Sequence, residues 1–176
     1  MITTGDGAAY PPPEVRAAHG TVPPRFGFGR PAGRPDIVPW DIDVGPDGAG
    51  LPEGSGSPSD GAAVYLAKCA HCHGLQGEGG LNDRLVTPAD GGGGRTIGSY
   101  WPYATTLFDY VRRAMPYDSP GSLTDDEVYD VTAWLLLQNG LIEATDPVDQ
   151  STLPAIVMPG LSLFLPDDRE AYRQVR

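Results

Sequence analysis

Three stretches of the chain place apolar residues at helical spacing, and each has a recognisable start or stop. In the first, Ala62, Tyr65, Leu66 and Cys69 fall at i, i+3, i+4 and i+7, which predicts a helix with one face on a core. Ser59 or Asp60, just after Pro58, offers the N-cap. Gly61 leaves room there for another backbone to approach. In the second, Leu107, Tyr110, Val111 and Ala114 repeat the spacing over residues 105–114, and Pro116 ends the run. Proline pushes the residue before it, Met115, out of the helical region and into extended geometry. The third is the best specified. Thr124 and Glu127 make a capping box, Leu123 and Val128 a hydrophobic staple, and two acids sit in the dipole-favoured first turn. Val128, Val131, Trp134, Leu135 and Leu136 follow, apolar on most sides, and Asn139-Gly140 closes the helix, so this element should be central.

Between the first two helices, residues 74–94 are rich in glycine, with Gly91 to Gly94 consecutive, and read as loop. A phosphate-cradling role has neither the GxGxxG spacing nor a preceding strand. Beyond residue 142 the chain is irregular, yet Leu153, Ile156, Val157, Leu161, Leu163, Phe164 and Leu165 punctuate it. A freely solvated tail has no use for so many apolar residues, so residues 143–176 should pack back on the helices or onto a partner.

Composition changes this picture at the N-terminus. The 176 residues include 24 Gly and 19 Pro, and eleven of the prolines precede Ser59. Residues 1–58 therefore read as an extended arm with turns. The helical part, residues 59–142, is short for a self-sufficient apolar core, and a large, flat, apolar cofactor would fill that deficit. Net charge is −11, with eleven Arg and a single lysine, Lys68. An acidic surface argues against nucleic acid and anionic membranes as partners, and any electrostatic docking should meet a basic surface. The longest apolar run, residues 133–137, is far below membrane-spanning length. Met1-Ile2-Thr3-Thr4-Gly5 begins no signal peptide. The run Cys69-Ala70-His71-Cys72-His73 is a C-x-x-C-H pattern, to which haem is attached outside the cytoplasm, so the chain is expected to be a mature periplasmic protein without its leader.

The only two cysteines stand in Cys69-Ala70-His71-Cys72-His73, the attachment pattern of a c-type haem. On a helical turn, positions 69, 72 and 73 share one face, which presents two thiols to one haem edge and sets His73 under the iron. A thioredoxin-like pair would need a βαβ context, a lone zinc site would need four ligands closing a tetrahedron, and a structural disulfide leaves His73 unexplained. Met115, 42 residues after His73 and held at a helix exit, is the favoured second axial ligand. Ordinary core packing is the alternative use of a methionine. Met158 and His19 are the rival ligands, and His71 should point away from the haem face.

A helix ending in C-x-x-C-H, a Met-Pro after a middle helix and a capped last helix together resemble a class I cytochrome c. Trp40-Asp41-Ile42-Asp43-Val44, Gly98-Ser99-Tyr100-Trp101-Pro102-Tyr103-Ala104, Arg113-Ala114-Met115-Pro116 and Leu123-Thr124-Asp125-Asp126-Glu127-Val128-Tyr129 narrow the likeness. They are similar to the cytochrome subunit of the sulfane dehydrogenase of the Sox sulfur-oxidation pathway, and to the cytochromes attached to sulfite dehydrogenases. The resemblance runs over residues 26–169. It implies Cys69 and Cys72 as thioether donors, His73 and Met115 as axial ligands, and a molybdenum-cofactor subunit as partner. It also sets residues 95–103 around the haem propionates, with Arg95, Tyr100, Trp101 and Tyr103 as donors. Some family members carry a second haem domain, whereas this chain has one C-x-x-C-H.

The expected architecture is mainly α: a class I cytochrome c fold over residues 59–142, with a long irregular arm (1–58) and a wrapping tail (143–176). The expected function is a subunit with one covalently bound haem c. It would take electrons singly from a molybdenum sulfur dehydrogenase subunit and pass them to a downstream cytochrome, without being catalytic alone or inserting in a membrane. Two alternatives stand. One is a haem enzyme or sensor with an open or exchangeable sixth ligand, peroxidase-like or thiosulfate-oxidising. The other is a free-standing electron shuttle.

Overall fold

The computed structural model describes residues 28–165, and the chain divides between Pro39 and Trp40 into two compact units. Within the described part of the first unit there is one helical turn, α1 (Arg34–Ile37), where Arg30 pairs with Asp36. Phe28, Ile37 and Val38 are exposed in that segment. Phe26 and His19 lie outside the described residues.

The second unit holds the helices. Its described elements run β1 (Ser55–Gly56), α2 (Pro58–Lys68), α3 (Ala70–His73), α4 (Ile97–Tyr100), α5 (Ala104–Ala114), α6 (Asp125–Gln138) and β2 (Val148–Asp149), then two 3₁₀ turns, Leu153–Ala155 and Pro159–Leu163. The class is mainly α, as the periodicity predicts. Helix α6 is central: residues 131–136 are all buried, and it packs on both α2 and α5. Against α2 the approach is closest at Gly61, where an added Cβ would lie 1.9 Å from the Asp130 carbonyl oxygen. One turn on, the rings of Tyr65 and Trp134 stack with centroids 3.8 Å apart. Against α5, Phe108 meets Tyr129 at 4.4 Å. The capping box of Thr124 and Glu127 forms as read, with Glu127 N–H donating to Thr124 Oγ1 at 3.2 Å and Thr124 N–H to Glu127 Oε2 at 2.9 Å.

Several details differ from the sequence reading. Ser57, not Ser59 or Asp60, caps α2 by accepting from the Asp60 N–H at 3.2 Å, because Pro58 takes the first helical position, where its missing N–H costs nothing. Ala62 and Leu66 are exposed, since α2 meets α6 through Gly61 and Tyr65 instead. Tyr110 is 46% exposed and Phe108 takes its place in the core. Helix α4, a four-residue turn capped by Thr96 and Ser99, has too little periodicity to register as a helix in the sequence.

The packed unit also begins earlier than residue 59. Asp109, buried on α5, accepts from the Val44 N–H at 2.9 Å and is held by Arg113. Arg112 donates to the Ile42 carbonyl at 3.1 Å, and Tyr129 Oη donates to the Pro52 carbonyl at 2.9 Å. Backbone polar groups of a proline-rich segment need partners wherever they are taken from water, and α5 and α6 supply them. Of the seven apolar tail residues expected to pack on the helices or a partner, Leu153 is buried and Ile156 partly covered, whereas Val157, Leu161, Leu163, Phe164 and Leu165 are exposed. Strand β2 pairs antiparallel with β1, and Val148, Leu153 and Met158 are buried in the core. Gly160 sits so close to the Tyr100 and Trp101 carbonyls that an added Cβ would lie 2.4 Å from Tyr100 O. No helix among the described residues is long and apolar enough to cross a membrane.

Candidate haem-binding site

The C-x-x-C-H segment forms the joint between α2 and α3. Cys69 leaves helical geometry (φ −122°, ψ −38°) as the C-cap of one helix and the N-cap of the next, yet its carbonyl accepts from both Cys72 N–H and His73 N–H at 3.1 Å. The last of these is an i+4 bond, so Cys69, Cys72 and His73 stay on one turn and can face one ligand. Both thiols are free and half-buried, and His71 between them is exposed. Burial pushes the Cys69 thiol up to about 11, reinforced by Cys72 and opposed by Lys68. A redox-active C-x-x-C depends on a lowered thiol pKa, so this environment disfavours the thioredoxin-like use.

His73 is fixed by a contact invisible in the sequence. Its Nδ1 lies 2.7 Å from the carbonyl oxygen of Asp83. With a carbonyl as partner, Nδ1 must carry the proton, which leaves the Nε2 lone pair for a metal. The loop that presents Asp83 is secured around it: Asn82 N–H donates to Cys72 O at 2.9 Å, and Leu85 N–H to Gly77 O at 2.9 Å. Gly74 and Gly77, at φ +84° and +74°, give this loop turns that other residues rarely make.

Met115 is the C-cap of α5 in extended geometry (φ −124°, ψ 150°), as the following proline demands. It is half-buried at the edge of the core, whereas Met158 is 2% exposed and enclosed within it. Of the four residues considered for the propionates, two come together: the Arg95 guanidinium lies 4.3 Å from the Tyr100 ring centroid. Tyr100 also leans on Phe164 of the tail at 5.3 Å. Trp101 instead packs edge-on to Tyr110 at 5.7 Å, and Tyr103 stands at the start of α5, partly exposed. The donor set of two thiols on one turn, an imidazole with Nε2 free and a half-buried thioether suits a covalently attached haem.

Comparison with known proteins points to a cytochrome c domain. Residues 56–135 match the family described as cytochrome c oxidase, cbb3-type, subunit III. Two curated relatives are named thiosulfate dehydrogenase. The one from Psychrobacter arcticus is 31% identical over 96 residues, 47% of this chain and 29% of that protein. The one from Allochromatium vinosum is 32% identical over 79 residues, 43% and 29%. The chain thus spans well under half the length of either. Among solved structures, a chain of the sulfane dehydrogenase SoxCD from Paracoccus pantotrophus aligns with a TM-score of 0.71 and 39% identity, covering 85% of this chain and 76% of that one. An identity that high, sustained over most of both chains and carried by a matching cytochrome c domain, makes the protein a haem c-binding member of the Sox-type c-type cytochromes.

Proposed function

We propose that this chain is a monohaem electron carrier in a periplasmic sulfur-oxidising complex. It takes electrons one at a time from a molybdenum-cofactor subunit that oxidises sulfane sulfur or sulfite, and hands them to a downstream cytochrome. Cys69 and Cys72 would hold the haem, and His73 and Met115 would ligate its iron. The haem supplies one-electron iron redox chemistry, and methionine–histidine ligation sets its potential high. The observation that carries the reading is the commitment of His73 Nδ1 to Asp83 O, which leaves Nε2 as the unprotonated nitrogen able to serve as a ligand. Met115 supports it, because the residue is only partly buried whereas Met158 is enclosed in the core. Arg95 and Tyr100 are the propionate contacts best supported by geometry. Trp101, packed on Tyr110, and Tyr103, at the start of α5, are the other two candidate contacts on the same segment. A partner subunit is supported by the likeness to SoxCD and by Phe28, Ile37, Val38 and Trp40, large apolar side chains left exposed. Deleting residues 1–36 should weaken co-purification with the molybdenum subunit while the haem spectrum stays intact.

The named relatives favour one second reading: a thiosulfate-oxidising haem enzyme whose sixth ligand is exchangeable. One experiment separates the two. On the electron-carrier reading the ferric protein shows the weak red charge-transfer band of methionine–iron ligation, and the ferrous protein resists carbon monoxide. Met115→Ala should remove the band and open the iron. Ready carbon monoxide binding by the unsubstituted protein would favour the enzyme, and loss of the band in Met158→Ala alone would reassign the ligand. Cys69→Ala with Cys72→Ala should abolish haem staining on a denaturing gel.

A further inference from the structure

The side chain of Asn139 has a job beyond ending α6. The cap itself is made of backbone: Asn139 N–H donates to Leu135 O, Gly140 N–H to Leu137 O and Leu141 N–H to Leu136 O, with Gly140 at φ +67°. An alanine at position 139 could make the same bonds. The amide group is instead spent on the loop that follows the haem-binding turn. Asn139 Oδ1 accepts from Thr87 N–H at 2.9 Å and from Thr87 Oγ1 at 3.2 Å, while Nδ2 donates to Leu85 O at 3.3 Å and to Leu135 O at 2.8 Å. A carboxamide has two acceptor positions and two donors, so all four are used. Its remaining side is closed by α4, where a Cβ on Gly98 would lie 2.4 Å from Asn139 Oδ1. Thr87 Oγ1 is also paired with Thr96 Oγ1, the cap of α4.

Leu85 lies two residues from Asp83, whose carbonyl holds His73. We infer that Asn139 is a positioning residue for the proximal imidazole: it fixes residues 85–87 to the end of α6 and thereby holds the Asp83 carbonyl on His73 Nδ1. This deepens the proposed function and rests on His73 being an iron ligand. The consequence is electronic. A carbonyl on Nδ1–H makes the imidazole a stronger donor, which favours ferric iron. A loose carbonyl therefore raises the midpoint potential.

The test uses the haem-loaded full chain with Asn139→Ala, Asn139→Asp and Thr87→Val. Asn139→Asp keeps an acceptor for Thr87 and loses both donations. Thr87→Val loses only the hydroxyl contacts and is the mildest of the three. The readouts are NMR proton exchange at His73 Nδ1 in the ferrous state and the midpoint potential, with circular dichroism and the methionine–iron band as controls on fold and sixth ligand. In Asn139→Ala the Nδ1 proton should exchange at least tenfold faster and the midpoint should rise, with both controls unchanged. Asn139→Asp should follow, and Thr87→Val should move both readouts less, in the same direction. A folded Asn139→Ala protein with unchanged exchange and potential overturns the inference. If Asn139→Ala fails to fold, unmoved readouts in Thr87→Val overturn it instead. Absence of paramagnetically shifted His73 ring signals in the unsubstituted ferric protein would defeat the ligand assignment itself, an outcome distinct from either.

Discussion

Gly61 is the position where one methyl group should do most damage. An alanine Cβ there would lie 1.9 Å from Asp130 O, 2.6 Å from Asp130 C and 2.8 Å from Trp134 Cβ. Two of these are backbone atoms of the central helix, so no rotamer change relieves the clash. Either α2 and α6 separate by more than 1 Å, or α2 slides. Overpacking of this kind costs about 1–3 kcal/mol. Separation would also disturb the Tyr65–Trp134 stack, worth about 0.5–1.5 kcal/mol beyond its buried area. Against this, alanine gains about 1 kcal/mol over glycine in helix propensity. The net expectation for Gly61→Ala is a loss of roughly 0.5–3.5 kcal/mol, centred near 2, or a fall in Tm of roughly 4–8 °C at that centre. Thermal unfolding of the haem-loaded protein, followed by circular dichroism and Soret absorbance together, measures it. The reverse change at the exposed neighbour, Ala62→Gly, should cost only the propensity difference of about 1 kcal/mol. If Gly61→Ala were neutral or stabilising, as at a solvated helical glycine, the close α2–α6 contact would be refuted.

Two further outcomes follow from buried or half-buried acids. Asp109→Ala should lose about 2–3 kcal/mol in denaturant unfolding, because it strands the Val44 N–H and frees Arg113; proteolysis near residues 40–51 should speed up with it. Burial raises the pKa of Asp130, with Asp60, Asp126 and Glu127 adding repulsion, against the bond from Ser57 N–H. A carboxyl raised on folding costs stability above its unfolded pKa, about 3.9, and costs nothing well below it. Asp130→Asn, which can still accept from Ser57, should therefore raise the unfolding midpoint at pH 7, and the gain should vanish on acidification below about pH 3.5; a gain that persists at low pH would exclude the electrostatic cause.

The parts of this fold that the sequence announces are those made by neighbours along the chain. Thr124 and Glu127 cap α6 three residues apart, Pro116 sets the geometry of Met115, and Cys69, Cys72 and His73 share a turn because helical geometry puts them there. What stays hidden is made across the chain. Leu66 and Tyr110 fit a helical stripe as well as Tyr65 and Phe108 do, and only the crossing of α2 and α5 with α6 decides which are covered. The proximal site is hidden for a second reason: the partner of His73 is a backbone carbonyl, which any residue at position 83 could provide. Likewise, Asn139 reads as a routine helix end until its amide is found bonded to residues more than fifty positions away.

The proline-rich segment before the helices and the tail after them solve the same shortage. A helical core of this length buries a smaller share of its surface than a larger domain does, so α6 gains from the cover that the flanks supply. Gly56 lets residues 55–57 run directly over the Tyr129–Asp130 backbone, where an added Cβ would meet Asp130 N at 2.2 Å, and β2 closes over the same strand. Val148 and Leu153, each fully buried, complete the cover. Each such side chain contributes roughly 1.5–3 kcal/mol against the entropy of ordering an irregular strand. The glycines and prolines that make these flanks look like linker are therefore what allow them to lie flat on the helices. Residues 40–58 and 143–165 thus contribute to the stability of the helical unit rather than acting as linkers.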